Sequence, residues 1–508
     1  MPAPKVKEGK TYQGHLREGL RMKLSQLLIP LSDKQPGKIR DAGLIRLVQG
    51  GFAVYNAKSD EILLLPFGTL ALRRSLGKLL ALFAKTGVQP TACFGAGPFS
   101  IADRFVRVFG EVARAFLEER EGNLVFTGYG ETFAEAQTFV RALGEAVREE
   151  PVFADLGCRV LEERRDDAWR LSIAVPAQKE ARESAPGICC SACGWGGLPE
   201  SIAPEEEAFS AKSAPGHGEL PLKEAHTPGA NTIAELCRQL DVPPSRTLKT
   251  MCYSTGMGEN LRVAAALVRG DMAISLEKLR RALNASEIRR STPEDLARCI
   301  TGVAGYLGPI GLGEAVTLVA DSRVVGACDL VVGANKPDFH LTGACWGRDF
   351  SAPFVADLVR FEKDSPCPLC GEPLSEANWR VLGHFDVPVS PSETALTCRD
   401  QAGTHSFPFA WTGCVFGISL LSALAEQGGE KWPEGYAPFD AWIVPVLPED
   451  HETAERLLQE LSQQGLAPLL DDRECDAEKK MADARLAGVP ALYLVDTTTS
   501  GKHLLTDA

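Results

Sequence analysis

The chain has 508 residues, a net charge of -13, 44% hydrophobic and 24% charged residues, a soluble composition spread over a length that calls for several cores. The acidic balance excludes a wholly basic nucleic-acid binder but leaves room for local basic faces. Lys5, Lys7, Lys10, Arg17 and Arg21 precede no apolar stretch, which excludes a secretory signal, and the longest apolar run, Phe409 to Ala425, is short and too interrupted for a membrane span. It reads instead as a buried strand followed by a helix. Fifteen cysteines, with two pairs spaced C-x-x-C, fit a reducing cytoplasm better than a disulfide scaffold.

Taken in chain order, Phe52–Tyr55 and Ile62–Leu65 flank a turn-prone Asn56–Asp60 and predict a hairpin closed by Pro66. Leu70–Phe83, Ile101–Leu117 and Thr132–Val147 carry helical apolar spacing. Gln178–Gly187 and Leu198–Glu224 read as linkers. Alternating helices and strands run from Thr227 to about Phe361. A final alternation predicts a small α/β domain: strand Ala441–Val446, helix Asp450–Gln463, strand Ala467–Leu470, helix Ala477–Leu486, strand Ala491–Val495.

Cys190-Ser-Ala-Cys193 and Cys367-Pro-Leu-Cys370 bracket the middle segment, each followed by a glycine (Gly194, Gly371). Two such pairs can converge on a structural zinc with no open coordination position. The alternative is two sets of free thiols, and Cys189 is an extra thiol that competes as a ligand.

The middle segment carries Thr227-Pro-Gly-Ala-Asn-Thr-Ile, Arg246-Thr-Leu-Lys-Thr250, Ala266-Leu-Val-Arg-Gly-Asp271, Gly305-Tyr-Leu-Gly-Pro309, Val319-Ala-Asp321, Val332-Gly-Ala-Asn335, His340 and Trp346-Gly-Arg-Asp349. In this order the motifs resemble bacterial prolyl-tRNA synthetases, class II enzymes with an inserted editing domain. The resemblance implies hydrolysis of alanine wrongly esterified to proline tRNA, because a proline pocket cannot strongly exclude a smaller side chain. It assigns catalytic roles to Lys249, His340, Asp321, Gly305 and Pro309, and substrate binding to Thr227, Gly308 and Asn335. Lys249 would meet phosphates of the tRNA end. The Gly305–Pro309 loop would turn backbone N–H groups toward the developing oxyanion. His340 and Asp321 would shape the pocket and hold the amino group or the water. No general base is identified, and the substrate's ribose hydroxyl is one candidate.

The same resemblance weakens outside the insertion. The second class II motif should supply an arginine in Phe-Arg-Asp-Glu, yet Phe116-Leu-Glu-Glu119 places Leu117 there, and the threonine- and glutamate-rich segment after the first motif is not recognisable in Phe94–Asp103. The third motif's arginine falls at about Ser419. Losing both removes the charge that stabilises attack on the α-phosphate, so ATP and Mg use is not expected, unless Arg104, Arg107 or Arg120 substitutes. From Tyr436 the chain is similar to the family's anticodon-binding domain, with Arg473, Lys479, Lys480 and Arg485 either meeting tRNA phosphates or forming a solvated face.

The expected fold is multidomain α/β. A class II synthetase-like antiparallel sheet core occupies residues 1–197 and 366–435, with a linker at 198–226. An inserted α/β editing domain covers 227–365, and a truncated anticodon-binding-like α/β domain covers 436–508. The expected function is that of a cytoplasmic aminoacyl-tRNA deacylase with proline adenylation lost. Its partners would be proline tRNA and a small amino acid ester, with no membrane; a homodimer is open. The alternatives are a non-catalytic paralogue sensing tRNA or an amino acid, and a divergent working proline ligase.

Overall fold

The computed structural model describes residues 22–27, 30–31, 34, 36, 39–90, 115–202, 220–256, 258–300, 305–392, 396–399, 404–427, 431–498 and 501–505. The chain divides into two compact units, one of 1–160, 172–184 and 379–508, the other of 161–171 and 185–378. The second is wider than the inserted segment read from sequence, taking in 185–226 and both cysteine pairs.

In the first unit, Trp379–Pro388 (the end of strand Ser375–Pro388), Phe409–Val415, Asn123–Gly130 and Ala115–Arg120 are antiparallel neighbours, and Gln89–Pro90 adds in parallel. This is the mixed α/β, class II synthetase-like core that the motifs imply. Helix Pro66–Lys85 starts with a proline at its first turn, where the missing N–H costs nothing, and buries Phe67, Leu72, Leu76, Leu79 and Phe83 at helical spacing. Phe83 meets Phe126 edge-on at 4.9 Å, and Phe126 meets Phe385 at 5.1 Å, so the aromatic rings tie helix to sheet. The hairpin Ala53–Asn56/Glu61–Leu64 and the helix Phe133–Glu149, capped by the Thr132 hydroxyl, stand where the sequence put them. Strand Phe409–Val415 followed by helix Gly417–Gln427 matches the reading of the long apolar run.

Two expectations change. Of the helix expected over Ile101–Leu117, residues 101–114 lie outside the described residues, and Ala115–Leu117 opens a strand, because Phe116 and Leu117 pair with Thr127 and Phe126 across it. Of the linker Gln178–Gly187, Ser184–Gly187 belongs to strand Ser184–Cys189. In the other expected linker, residues 203–219 lie outside the described residues, as does Phe94–Asp103.

The C-terminal part of the first unit is a five-stranded sheet, ordered Met22–Lys23, Pro468–Leu470, Ala441–Pro445, Ala491–Asp496 and Gly501–Leu505. The first four are parallel and the last antiparallel. The sequence reading missed both edge strands: Met22–Lys23 is too short to show a period, and Gly501–Leu505 lies past the last strand it assigned. Arg473 is bonded to Asp471 and Asp483, Lys479 to Asp483, and Lys480 is 5% exposed, so this set is largely consumed within the domain.

The second unit is built on the sheet Arg289–Arg290, Leu248–Thr255, Arg262–Arg269, Val316–Asp321 and Phe354–Ala356, and on the sheet Lys223–His226, Phe339–Ala344 and Leu330–Gly333. A parallel bridge, Thr247 to Val331, joins them. Leu248, Leu267, Ala320, Leu330, Val332 and Ala344 pack on the inner face. Side chains alternate along strands, so Lys249, Val331, Gly333 and His340 project from the outer face.

Candidate functional site

Thr227 and His340 form the buried centre of the second unit's site. Thr227 Oγ1 lies 2.7 Å from His340 Nδ1, with the threonine fully buried and the histidine 5% exposed. Backbone pairing fixes the contact: His340 sits opposite Ala225, and the Thr227 amide donates to the Asp338 carbonyl at 2.8 Å. Burial lowers the His340 pKa from its ordinary value, which keeps the imidazole neutral near pH 7. The Tyr306 ring lies 5.7 Å from the imidazole, centroid to centroid. Its hydroxyl donates to Asp338 Oδ1 at 2.9 Å, and the same oxygen accepts from the Gly229 amide at 2.8 Å.

The Gly305–Pro309 loop is held against this centre by Asn335. The Gly308 amide donates to Asn335 Oδ1 at 2.8 Å, Asn335 Nδ2 donates to the Ile310 carbonyl at 2.8 Å, and the Asn335 amide donates to the Tyr306 carbonyl at 2.9 Å. Asn335 adopts φ +59°, a left-handed conformation that asparagine tolerates better than most residues. Gly308 and Gly333 allow the loop to touch the strand end: a Cβ on Gly308 would lie 1.9 Å from the Gly333 carbonyl oxygen. Gly308 therefore spends its amide on Asn335. The Leu307 amide, by contrast, has no acceptor among the described residues.

Lys249 and Asp321 share the outer face with His340, but no hydrogen bond or ion pair among the described residues joins them to it. Lys249 Nζ donates to the Met272 carbonyl at 2.9 Å, and burial lowers its pKa against the opposing pull of Asp271 and Glu362. Asp321 is 1% exposed and fully engaged. Its oxygens accept from Arg323 Nη1 at 3.0 Å each, from the Arg323 amide at 3.0 Å and from the Leu358 amide at 2.8 Å. Arg323 also bonds Asp357 at 2.9 Å, and Asp357 accepts from buried Lys278 at 2.8 Å. Burial pushes the Asp321 carboxyl up even so. Tyr306, Asp338, Arg323 and Asp357 were not singled out from sequence. Tyr306 lay inside the quoted Gly305–Pro309 motif, whereas the others carry no spacing signal.

The two cysteine pairs do converge. The sulfurs of Cys190, Cys193, Cys367 and Cys370 all lie within 4.8 Å of one another, with Cys190 to Cys370 at 3.5 Å and Cys193 to Cys367 at 3.6 Å. A tetrahedral four-thiolate zinc would space its sulfurs by about 3.8 Å, so the donor set fits. Each pair forms the same tight turn: the Gly194 amide donates to the Cys190 carbonyl and the Gly371 amide to the Cys367 carbonyl. Both glycines have positive φ, +76° and +83°, which explains why glycine follows each pair. Cys189 is outside the cluster, on the strand that pairs with Gly196.

Residues 227–350 match the aminoacyl-tRNA editing domain model and residues 440–506 match the anticodon binding domain model. The chain is 34% identical over 319 residues to a proline--tRNA ligase of Heliobacterium modesticaldum, covering 61% of this chain and 53% of that protein. It is 33% identical over 322 residues to a proline--tRNA ligase of Aquifex aeolicus, covering 60% and 54%. The chain is prolyl-tRNA synthetase-like and carries an editing domain. It spans about half the length of the curated relatives it matches. A solved structure described as a candidate trans-editing enzyme for prolyl tRNA synthetase covers 31% of this chain and 99% of its own, at 18% identity and a TM-score of 0.23.

In the first unit, neither position where the resemblance expects an arginine holds one. Leu117 is 2% exposed and pairs with Phe126, so it points into the aromatic layer, where an arginine would be buried. Ser419 is 1% exposed and its Oγ has no hydrogen-bond partner among the described residues. The start of helix Gly417–Gln427 is covered by the hairpin turn: Asn123 Oδ1 accepts from the Gly417 amide at 3.0 Å, and a Cβ on Gly417 would lie 1.9 Å from the Gly122 carbonyl oxygen. A helix N-terminus is a ready anion site; here Asn123 takes the Gly417 amide, beside a cavity lined by Gly122, Asn123 and Ile418. No helix among the described residues is long and apolar enough to cross a membrane.

Proposed function

We propose that this prolyl-tRNA synthetase-like protein is an aminoacyl-tRNA deacylase that removes a small amino acid, alanine, from proline tRNA, and that it no longer adenylates proline. The observation that carries the reading is the contrast between two sites. Thr227 bonds His340, and Asn335 holds the Gly305–Pro309 loop, within the editing-domain match. The start of helix Gly417–Gln427, where ATP phosphates would be met, has its Gly417 amide capped by Asn123 and carries Ser419 where the arginine is expected.

The chemistry follows from these residues. Water adds to the ester carbonyl carbon, the bond to the ribose oxygen breaks, and that oxygen leaves with a proton as the ribose hydroxyl. With His340 Nδ1–H donating to Thr227, Nε2 keeps the lone pair that can take a proton from the water. The Gly305, Tyr306 and Leu307 amides are the loop donors left to meet the oxyanion, since Gly308 is committed to Asn335. Lys249, on the same face, offers its charge to phosphate at the tRNA end. Asp321 has no idle oxygen and acts by holding Arg323 and Leu358. The residues Cys190, Cys193, Cys367 and Cys370 would hold a zinc that supplies only a cross-link, because four sulfurs leave no position for water. Binding of tRNA through both matched domains completes the proposal.

Incubating the protein with alanyl-tRNA of the proline acceptor tests it. Release of alanine above the spontaneous rate, lost in Lys249→Ala, is expected; absence of release from wild type overturns it. Proline-dependent exchange of pyrophosphate into ATP is expected to be absent.

A further inference from the structure

The cysteine clasp and Met272, which holds the Lys249 ammonium, are packed into one core. Cys190, Cys367 and Leu374 belong to the same cluster of buried side chains as Met272, Val268, Val359 and Phe361. The Cys190 amide donates to the Trp195 carbonyl at 2.7 Å, which fixes Trp195 at the base of the first cysteine turn. The Trp195 ring meets Phe361 edge-on at 5.2 Å. Phe361 is followed by Glu362, one of the carboxylates whose field acts on Lys249. Met272, from the same cluster, supplies the carbonyl that holds the Lys249 ammonium. A half-buried lysine on a flexible four-carbon stem is placed only by such partners.

Resting on the deacylase reading above, we propose that the four-cysteine site is a positioning device for Lys249: metal bound there holds Trp195 against Phe361, and through Phe361 and Met272 fixes the lysine toward the tRNA end. Interiors transmit displacement because they are close-packed. Releasing the two turns from each other loosens the wall that carries Phe361 and Met272. The metal thus governs the site without touching substrate, and Trp195 is a positioning residue.

The test uses the full-length protein with its metal, the same protein stripped by a chelator, and Trp195→Leu, which keeps all four cysteines. Metal content is measured by elemental analysis. A brief pulse of an amine-acylating reagent is read lysine by lysine by mass spectrometry. Wild type is expected to carry stoichiometric zinc with Lys249 protected. Stripping is expected to raise Lys249 labelling several-fold while Lys58, exposed in the first unit, stays unchanged. Trp195→Leu is expected to retain zinc and show the same rise, which separates positioning from global unfolding. Wild type without bound metal, or Lys249 labelling unchanged in Trp195→Leu, overturns the proposal. Labelling needs no tRNA, so failure of wild type to deacylate would refute the function while leaving this result standing.

Discussion

Gly308→Ala probes the loop that the editing site depends on. The added Cβ would lie 1.9 Å from the Gly333 carbonyl oxygen, 2.7 Å from its carbonyl carbon and 3.0 Å from its nitrogen. All three are backbone atoms, so no rotamer change relieves the overlap, and ordinary contact requires a shift of about 1.5 Å. That shift breaks the Gly308–Asn335 bond of 2.8 Å and displaces the Leu307 amide. Overpacking of this kind costs about 1–3 kcal/mol, and a displacement of about 1 Å at a reacting centre costs on the order of 100-fold in rate. Deacylation of alanyl-tRNA is therefore expected to fall about 100-fold, with a lower melting temperature for the second unit. Gly77→Ala is the control: nothing lies within 4 Å of its Cβ, and a helical Gly to Ala change gains up to about 1 kcal/mol. Wild-type rate and melting in Gly308→Ala would refute the loop's role.

Three further outcomes follow from the same contacts. Thr227→Val keeps the shape but leaves His340 Nδ1 without its partner; a buried polar group so orphaned costs about 1–3 kcal/mol, read by chemical denaturation. Asp321→Asn is expected to destabilise the second unit by about 3–5 kcal/mol, as breaking a buried ion pair does; a well-folded but inactive variant would instead point to a direct catalytic carboxylate. Burial lowers the His340 pKa below its ordinary 6.5, so as pH falls below 6.5 the unfolded chain binds a proton that the folded site refuses. Stability from this group is complete above that pH and declines below it. Melting between pH 5 and 8 should slope less in His340→Gln, and equal slopes would contradict the assignment.

Much of the site was legible because its chemistry sits in short ordered motifs. Thr227, His340, Gly308 and Asn335 were named from sequence, and the structure joins Thr227 to His340 and Gly308 to Asn335. Spacing of C-x-x-C with a following glycine anticipated the four-sulfur convergence, since the turn geometry is local. Pairings made across the fold were not legible. Asp357 reaches Arg323, the neighbour that pairs with Asp321, from 34 residues away, and Asn123 reaches Gly417 across nearly 300 residues. Strand Ala115–Arg120 was hidden for a related reason. Its apolar residues, Ala115–Leu117, are consecutive and carry no two-residue alternation, and only pairing with Asn123–Gly130 makes the segment a strand.

The most direct test of the central claim is a single-turnover deacylation assay on alanyl-tRNA carrying the proline acceptor, with wild type and Lys249→Ala side by side. The account predicts alanine release well above the spontaneous rate by wild type and its loss in the variant; release no faster than spontaneous by wild type would contradict it.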